Sequence, residues 1–460
     1  MRLRYPSAVL AGCLAVGLSS VGVFAAPAEM LDPELTDLTG GQVWMLTDSS
    51  RSTRRTFSGE TRLELLCHRP LSALYLIWDR PPARWSLEGP NGPIERPGES
   101  YSYLHEYVPL NGPAGNYRLT WEEDAVLCDI YPLGDGPLPD GVQYWQPPSE
   151  KADLLLMPTH ADDEHLYFGG IMPHYANDGR YEIQVAYMVH HNTELYRPHE
   201  LLDGLWTAGV RRYPVIGTFP DIFSESLEHA KTIYNEQDLL DYQVELIRRF
   251  RPQVIVGHDL NGEYGHGAHM LNAHTLLKAV DEAAAGPSDN AWDTPKLYLH
   301  LYPEGAITLN YDTPLALFEG KTAFEVAVEG FSEHVSQQTY FRVEQKGPYD
   351  CRRFGLARTT VGSDVAGDDL FEHLIPYSEQ TAEPPPPDIP DASPVPPPVP
   401  VTQAEEAPSV GLSPPPAGSF WRWSAWQLAV TLGLALLFVA VFVVSVFRWG
   451  EKRARKRNNR

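Results

Sequence analysis

Two polar stretches of this chain concentrate the residue types that hydrolytic chemistry needs. The first is Pro158-Thr159-His160-Ala161-Asp162-Asp163-Glu164. Three adjacent acids repel one another, which is costly unless a cation or a partner offsets it. A histidine and a carboxylate three apart in a turn can converge on one metal ion. The same acids also suit the first turn of a helix, where they cap free N–H groups. The second stretch is His258-Asp259-Leu260-Asn261-Gly262-Glu263-Tyr264-Gly265-His266-Gly267-Ala268-His269. Its glycines allow a tight loop. His266 and His269 open the next helix, and residues three apart share one helix face. Two histidines plus one carboxylate, with a position left for water, are the make-up of a catalytic zinc site. Closed structural zinc sites favour four ligands, usually with cysteine.

These stretches need a scaffold that brings them together. Residues 151–305 alternate apolar strands with helical periods. Strands are expected over 153–157, 183–189, 214–218, 253–257 and 296–302. Helices are expected over 164–177, 198–208, 236–250 and 268–284. Such alternation implies βαβ units and a parallel sheet. Ligands bind such sheets at the carboxyl ends of strands, where both polar stretches begin. His190 and His191 end a strand at that edge, where a rim position and a purely structural one are both open. His258 reads as a residue that positions its loop, and His174 as helix surface. A further helix over 321–338 is expected to pack back on the sheet, closing a domain at 151–380.

Residues 27–150 read differently. Short branched or aromatic runs at 63–67, 74–78, 117–121 and 126–130 alternate with turn formers, which suggests a β-sandwich. Trp85, Tyr101, Tyr103 and Tyr107 fit either its core or a sugar-binding face. Cys67 and Cys128 lie in strand-like runs of this region, so a disulfide between them is open, with Cys351 left over. No CxxC spacing points to a cysteine-built zinc site.

Composition bounds the rest. The 460 residues carry a formal net charge of −24 although both termini are basic. An acidic body repels phosphate backbones, which argues against nucleic acid as a partner. With 43% hydrophobic residues, global disorder is excluded. Residues 1–26 have the charged, apolar and small-residue layout of a secretory signal peptide. Leu10-Ala11-Gly12-Cys13 resembles a lipoprotein processing site but sits early in the apolar run. Residues 381–425 form a proline-rich linker, read as an extended spacer. Residues 426–447 carry no charge and are long enough for a transmembrane helix at ~1.5 Å per residue. The basic tail 448–460 is expected to stay cytoplasmic. The expected protein is therefore held in the cell membrane by a single C-terminal helix, with its body outside.

His160-Ala161-Asp162-Asp163-Glu164 and Gly262-Glu263-Tyr264-Gly265-His266-Gly267-Ala268-His269 resemble the paired signatures of PIG-L/LmbE-like zinc-dependent N-acetyl deacetylases. Arg197-Pro198-His199-Glu200, Ala208-Gly209-Val210 and His334-Val335-Ser336-Gln337 support the resemblance, which spans about residues 151–340. Ala161 replaces a usual proline, and Gly267-Ala268 replaces the usual residues between the two histidines. Both departures fall at spacer positions.

The resemblance implies a Rossmann-like α/β fold and removal of an N-acetyl group, most often from a glucosamine conjugate. It implies zinc, or another divalent metal, on His160, Asp163 and His269. Asp162 becomes the general base, and protonated His266 the partner of the tetrahedral intermediate. Arg197 is expected either to meet a substrate hydroxyl or phosphate, or to pair with Glu200. Glu164 either orients His160 or caps the helix. The expected substrate is an N-acetylated amino sugar in a glycan or glycoconjugate. The alternatives are a surface carbohydrate-binding protein with an inactive α/β domain, or another metal-dependent hydrolase.

Overall fold

The protein is described by a computed structural model covering residues 26–59, 61–96, 102–286 and 290–380. Residues 1–25 of the expected secretory signal, the proline-rich linker, the apolar segment 426–447, the basic tail and Tyr101 fall outside the described residues. Among the described residues, no helix is long and apolar enough to cross a membrane.

The N-terminal region is built from β1 (Glu34–Asp37), β2 (Arg55–Phe57), β3 (Arg62–Cys67), β4 (Leu71–Trp78), β5 (Trp85–Gly89), β6 (Gly92–Ile94), β7 (His105–Gly112), β8 (Gly115–Trp121) and β9 (Ala125–Leu133). They form two antiparallel sheets, ordered β1-β3-β8-β5-β6 and β2-β9-β4-β7. Alternate residues of both sheets, such as Leu63, Leu65, Leu74, Leu76, Leu119 and Leu127, share one buried cluster. Trp85 and Tyr103 are 2% and 3% exposed and belong to that cluster, so they present no sugar-binding face.

Cys67 and Cys128 are both free thiols. The disulfide left open by their spacing is absent for a topological reason. Cys67 packs in the shared layer of the two sheets, whereas Cys128 packs on the other side of β4 with Tyr75, Ile77 and Val142.

The second region contains β10 (Leu154–Leu156), α1 (Asp163–Leu166), α2 (Ile171–Asp178), β11 (Ile183–His190), α3 (Arg197–Thr207), β12 (Val215–Pro220), α4 (Leu227–Ile233), α5 (Glu236–Phe250), β13 (Val254–Gly257), α6 (Gly267–Ala284), β14 (Lys296–His300), β15 (Ala306–Thr308), α7 (Ala323–Ser332) and β16 (Arg353–Thr359). One seven-stranded sheet runs β12-β11-β10-β13-β14-β16-β15. The first five in that order are parallel, as the alternation predicts. The other two add an antiparallel edge that the alternation does not foresee. Helices cover both faces: α5 and α6 pack on one through Val244, Ile247, Leu276 and Val280. Residues of α1, α2, α3 and α7 pack on the other.

Strand order places the site. The chain leaves β10 toward β11 and β12, then returns to lay β13 on the other side of β10. That is the topological switch point at which a parallel sheet opens a crevice. Leu154 pairs with Val254 and Leu156 with Val256. The loops after β10 and β13 therefore leave adjacent strands at the same level.

The helix expected over 164–177 is broken into α1 and α2. A Cβ on Gly169 would lie 2.2 Å from the His165 carbonyl oxygen, and one on Gly170 would lie 2.3 Å from the Tyr311 ring. Close packing of the chain at these two residues takes precedence over continuous helix. The helix expected over 321–338 is shorter, because Thr322 and Glu325 form a capping box at its start and Glu333 ends it.

The N-terminal region braces α3. Asp203 accepts from the Arg51 guanidinium and from Gln143 Nε2 at 2.6 Å. His199 Nδ1 lies 2.8 Å from His105 Nε2. On its other side α3 meets α7 at two glycines. A Cβ on Gly204 would lie 2.7 Å from His165 Nε2, and one on Gly330 would lie 2.1 Å from His165 Cε1. Gly330→Ala should therefore push α7 away from the His165 ring of α1 and cost about 1–3 kcal/mol. Urea unfolding should show a lower midpoint; an unchanged midpoint would contradict this close approach.

Candidate metal centre

The loop after β10 is pinned at every turn by side chains. His160 N donates to Asp163 Oδ2 at 2.7 Å, Ala161 N to His191 Nε2 at 3.1 Å, and Asp162 N to Glu164 Oε2 at 2.8 Å. The Arg197 guanidinium donates to the Ala161 carbonyl. These bonds hold Asp162 at φ +121°, where a non-glycine residue is strained by roughly 1–3 kcal/mol.

From the other loop, Glu263 organises three imidazoles. Its carboxylate accepts from His269 Nδ1 at 2.8 Å, His258 Nδ1 at 2.9 Å and His300 Nδ1 at 2.7 Å. Each bond places a proton on Nδ1, so His269 turns its Nε2 toward the first loop. It faces His160 Nδ1 at 3.1 Å and Asp163 Oδ2 at 3.3 Å, and His160 Nδ1 lies 3.2 Å from Asp163 Oδ2. These three atoms are all potential metal ligands. Bonds of ~2.0–2.2 Å in tetrahedral geometry would set such atoms about 3.3–3.5 Å apart, so the trio fits a zinc ion with little adjustment. His258 is nearby, but its Nε2 is occupied by the Thr159 N–H at 3.0 Å. It positions the loop, as its place at the strand end predicts.

The two neighbouring carboxylates are driven apart. Burial and the charge of Asp163 push Asp162 well above the usual carboxylate range. Burial also pushes Asp163 upward, but His269 and His258 beside it hold it well below that range. A pair separated in this way assigns one group to hold charge and the other to carry a proton.

His266 is the N-cap of α6, and its Nδ1 accepts from Ala268 N at 3.1 Å. Burial and the neighbouring His269 and His160 push its pKa down to about 2. The expected protonated His266 is therefore corrected to a neutral ring whose Nε2–H remains a donor. Arg197 does not pair with Glu200, which instead accepts from Ser336 N at 2.9 Å. Arg197 lies 3.7 Å from Asp162 Oδ1, and its Nε is buried without a protein partner. Glu164 does not reach His160. It accepts from Asp162 N and from His334 Nε2 at 2.8 Å, capping α1 and tying it to the segment after α7. His191 is buried behind the loop, and His174 is half-buried on α2.

A cavity of about 150 Å³ opens beside the trio. His160, Asp162, Asp163, Arg197 and His266 line it, as do Asp221, Phe223, Tyr264 and Phe341, for which no role is assigned from sequence. Asp221 Oδ1 is 3.5 Å from His160 Nε2 and its Oδ2 is 3.1 Å from His191 Nδ1. Only the strand-end rule could have flagged Asp221 and His300, since they follow β12 and end β14. Glu263 lies inside the second stretch, but its role becomes visible only when three histidines converge on it.

No family model matches the chain. It is similar to 1D-myo-inositol 2-acetamido-2-deoxy-alpha-D-glucopyranoside deacetylase 1 of Catenulispora acidiphila, with 26% identity over 230 residues, covering 43% of this chain and 68% of that protein. It is also similar to the deacetylase of that name from Rhodococcus erythropolis, with 29% identity over 175 residues, covering 32% of this chain and 59% of that one. Among solved structures, N,N'-diacetylchitobiose deacetylase of Pyrococcus horikoshii aligns at 16% identity and a TM-score of 0.31, covering 40% of this chain and 71% of that one. The similarity to these acetamido-sugar deacetylases covers 32–43% of this chain.

Glu263→Gln keeps the shape but removes the charge that fixes the His269 tautomer. Metal affinity should fall about 10–100-fold, as for other partners that orient a metal-binding histidine. Competition titration against a zinc chelator measures this; wild-type affinity in the variant would exclude the orienting role.

Proposed function

We propose that the chain is a zinc-dependent hydrolase that removes the acetyl group from an N-acetylglucosamine-type sugar in a glycan or glycoconjugate. The observation that carries this reading is the trio His160 Nδ1, His269 Nε2 and Asp163 Oδ2, mutually 3.1–3.3 Å apart, beside a cavity lined by Asp162. The curated relatives are named as deacetylases of an acetamido sugar joined to inositol, which supports the same bond and sugar type.

His160, Asp163 and His269 would hold the ion. A zinc ion held there supplies Lewis acidity toward a water and toward an acetyl carbonyl. Asp162 takes the proton of the attacking water as the new C–O bond forms. It delivers that proton to the sugar nitrogen as the C–N bond breaks, so that acetate and a free amine leave. His266 Nε2–H donates toward the oxyanion that develops on the acetyl carbonyl, a contribution typically worth ~3–4 kcal/mol of barrier. Arg197 braces the strained loop at Ala161 and lines the cavity, where its guanidinium can meet a substrate hydroxyl. The fixed loop brings these groups to the reacting atoms without rearrangement.

The secretory leader, the apolar segment 426–447 and the basic tail support an extracellular catalytic body on a single membrane helix. The proline-rich linker would hold that body away from the membrane surface.

Acetate release from N-acetylglucosamine oligomers tests the activity. It should stop with a chelator and return with zinc. Asp162→Asn should lower kcat by about 10²–10⁴-fold, and undiminished release by Asp163→Ala would refute the ligand set. For the topology, protease added to intact cells should cut within 381–420, and protection of that stretch would contradict the surface anchor.

A further inference from the structure

A second hollow, of about 550 Å³, lies where the N-terminal β region meets the start of α3. Arg51, Arg54 and Asp79 come from the β region, and Glu194, Tyr196 and Glu200 from the turn before α3 and from α3 itself. It shares that turn with the catalytic cavity: Tyr196 lines the hollow, and the next residue, Arg197, lines the cavity. The two concavities are therefore lined by consecutive residues at the start of α3.

The chemistry of the hollow is selective. Tyr196 is 50% exposed, and its hydroxyl donates to Glu194 Oε1 at 3.1 Å, so an aromatic ring lines the hollow with its hydroxyl already paired. The Arg54 side chain is 48% exposed and contacts Asp79, which is also 3.0 Å from Arg80. Arg51 is paired with Asp203. Its cations are thus already matched by acids, and two arginines face three carboxylates, so a phosphate or an acidic polymer gains no net attraction. Planar guanidinium and carboxylate groups beside an exposed ring suit an uncharged, hydroxyl-rich ligand. The polar groups exchange hydrogen bonds with hydroxyls, and the ring packs against an apolar sugar face. The catalytic cavity, at about 150 Å³, is the smaller of the two, so the remainder of a longer glycan must lie outside it.

We infer that this hollow is a second saccharide subsite, and that the substrate is an oligomeric or polymeric glycan that occupies it while one acetylated residue sits in the catalytic cavity. This rests on the deacetylase reading and extends it by giving the β region a role in substrate binding. The β region then selects for chain length.

The test compares the dimer and the hexamer of β-1,4-linked N-acetylglucosamine on the full chain, on Tyr196→Ala and on Arg54→Ala. Both variants should fold: Tyr196 is a half-exposed residue, and Asp79 keeps Arg80 when Arg54 is removed. The wild type should favour the hexamer in kcat/KM, and each variant should cut the hexamer-to-dimer ratio about five- to tenfold through KM. Acetate release with equal ratios in wild type and variants would overturn the subsite while leaving the deacetylase reading intact. Calorimetric titration of the hexamer separates the remaining cases. Hexamer binding that weakens in both variants, without acetate release from either substrate, would support the subsite and refute the deacetylase reading. Neither binding nor release would refute both.

Discussion

The site depends on how three consecutive buried carboxylates avoid one another. Asp162, Asp163 and Glu164 are each at most 5% exposed, and all three could not hold negative charge together without separate partners. The fold gives them different ones. Asp163 is set against His160 and His269, Glu164 against His334, and Asp162 is left with the more distant Arg197. The consequence is chemical as well as structural. The paired acid stays charged and can hold a cation, whereas the acid with the weakest partner is the one positioned to carry a proton.

That partition would be lost if the loop relaxed. Asp162 occupies a backbone conformation that costs energy, and it persists because four hydrogen bonds around it leave no alternative. One of those bonds comes from α3, which is clamped between the β region and α7. The N-terminal sheets therefore act on the site at one remove, through Arg51, Gln143 and His105 on α3. Glu263 performs the corresponding task in the second loop by fixing three imidazole tautomers at once.

Much of this was legible in the sequence, for identifiable reasons. The helix over 236–250 was readable to its ends, because its apolar residues repeat with helical period and Asn235 caps it. The alternation of strands and helices placed both polar loops at strand carboxyl ends, and parallel pairing of β10 with β13 made them neighbours. The break between α1 and α2 falls at Gly169-Gly170, where the packing of Tyr311, far along the chain, leaves no room for a side chain on Gly170. The antiparallel pair β15 and β16 escaped because short strands added at a sheet edge carry little periodic signal. Asp221, Glu263 and His300 escaped as site residues because a single acid or imidazole has no pattern, and its meaning comes from the partners that folding brings to it. The charge of His266 was misread because helix capping uses its Nδ1, and burial among other histidines excludes the second proton.

The central claim is that two loops share one divalent ion and leave room on it for a reacting water. A crystal of the zinc-loaded protein, with anomalous scattering recorded at the zinc edge, addresses it directly. The account predicts one strong peak within about 2.0–2.2 Å of His160 Nδ1, His269 Nε2 and an Asp163 carboxylate oxygen, with a non-protein ligand completing the shell. A peak ligated instead by His258 or His266, or lying between Glu164 and His334, would contradict it.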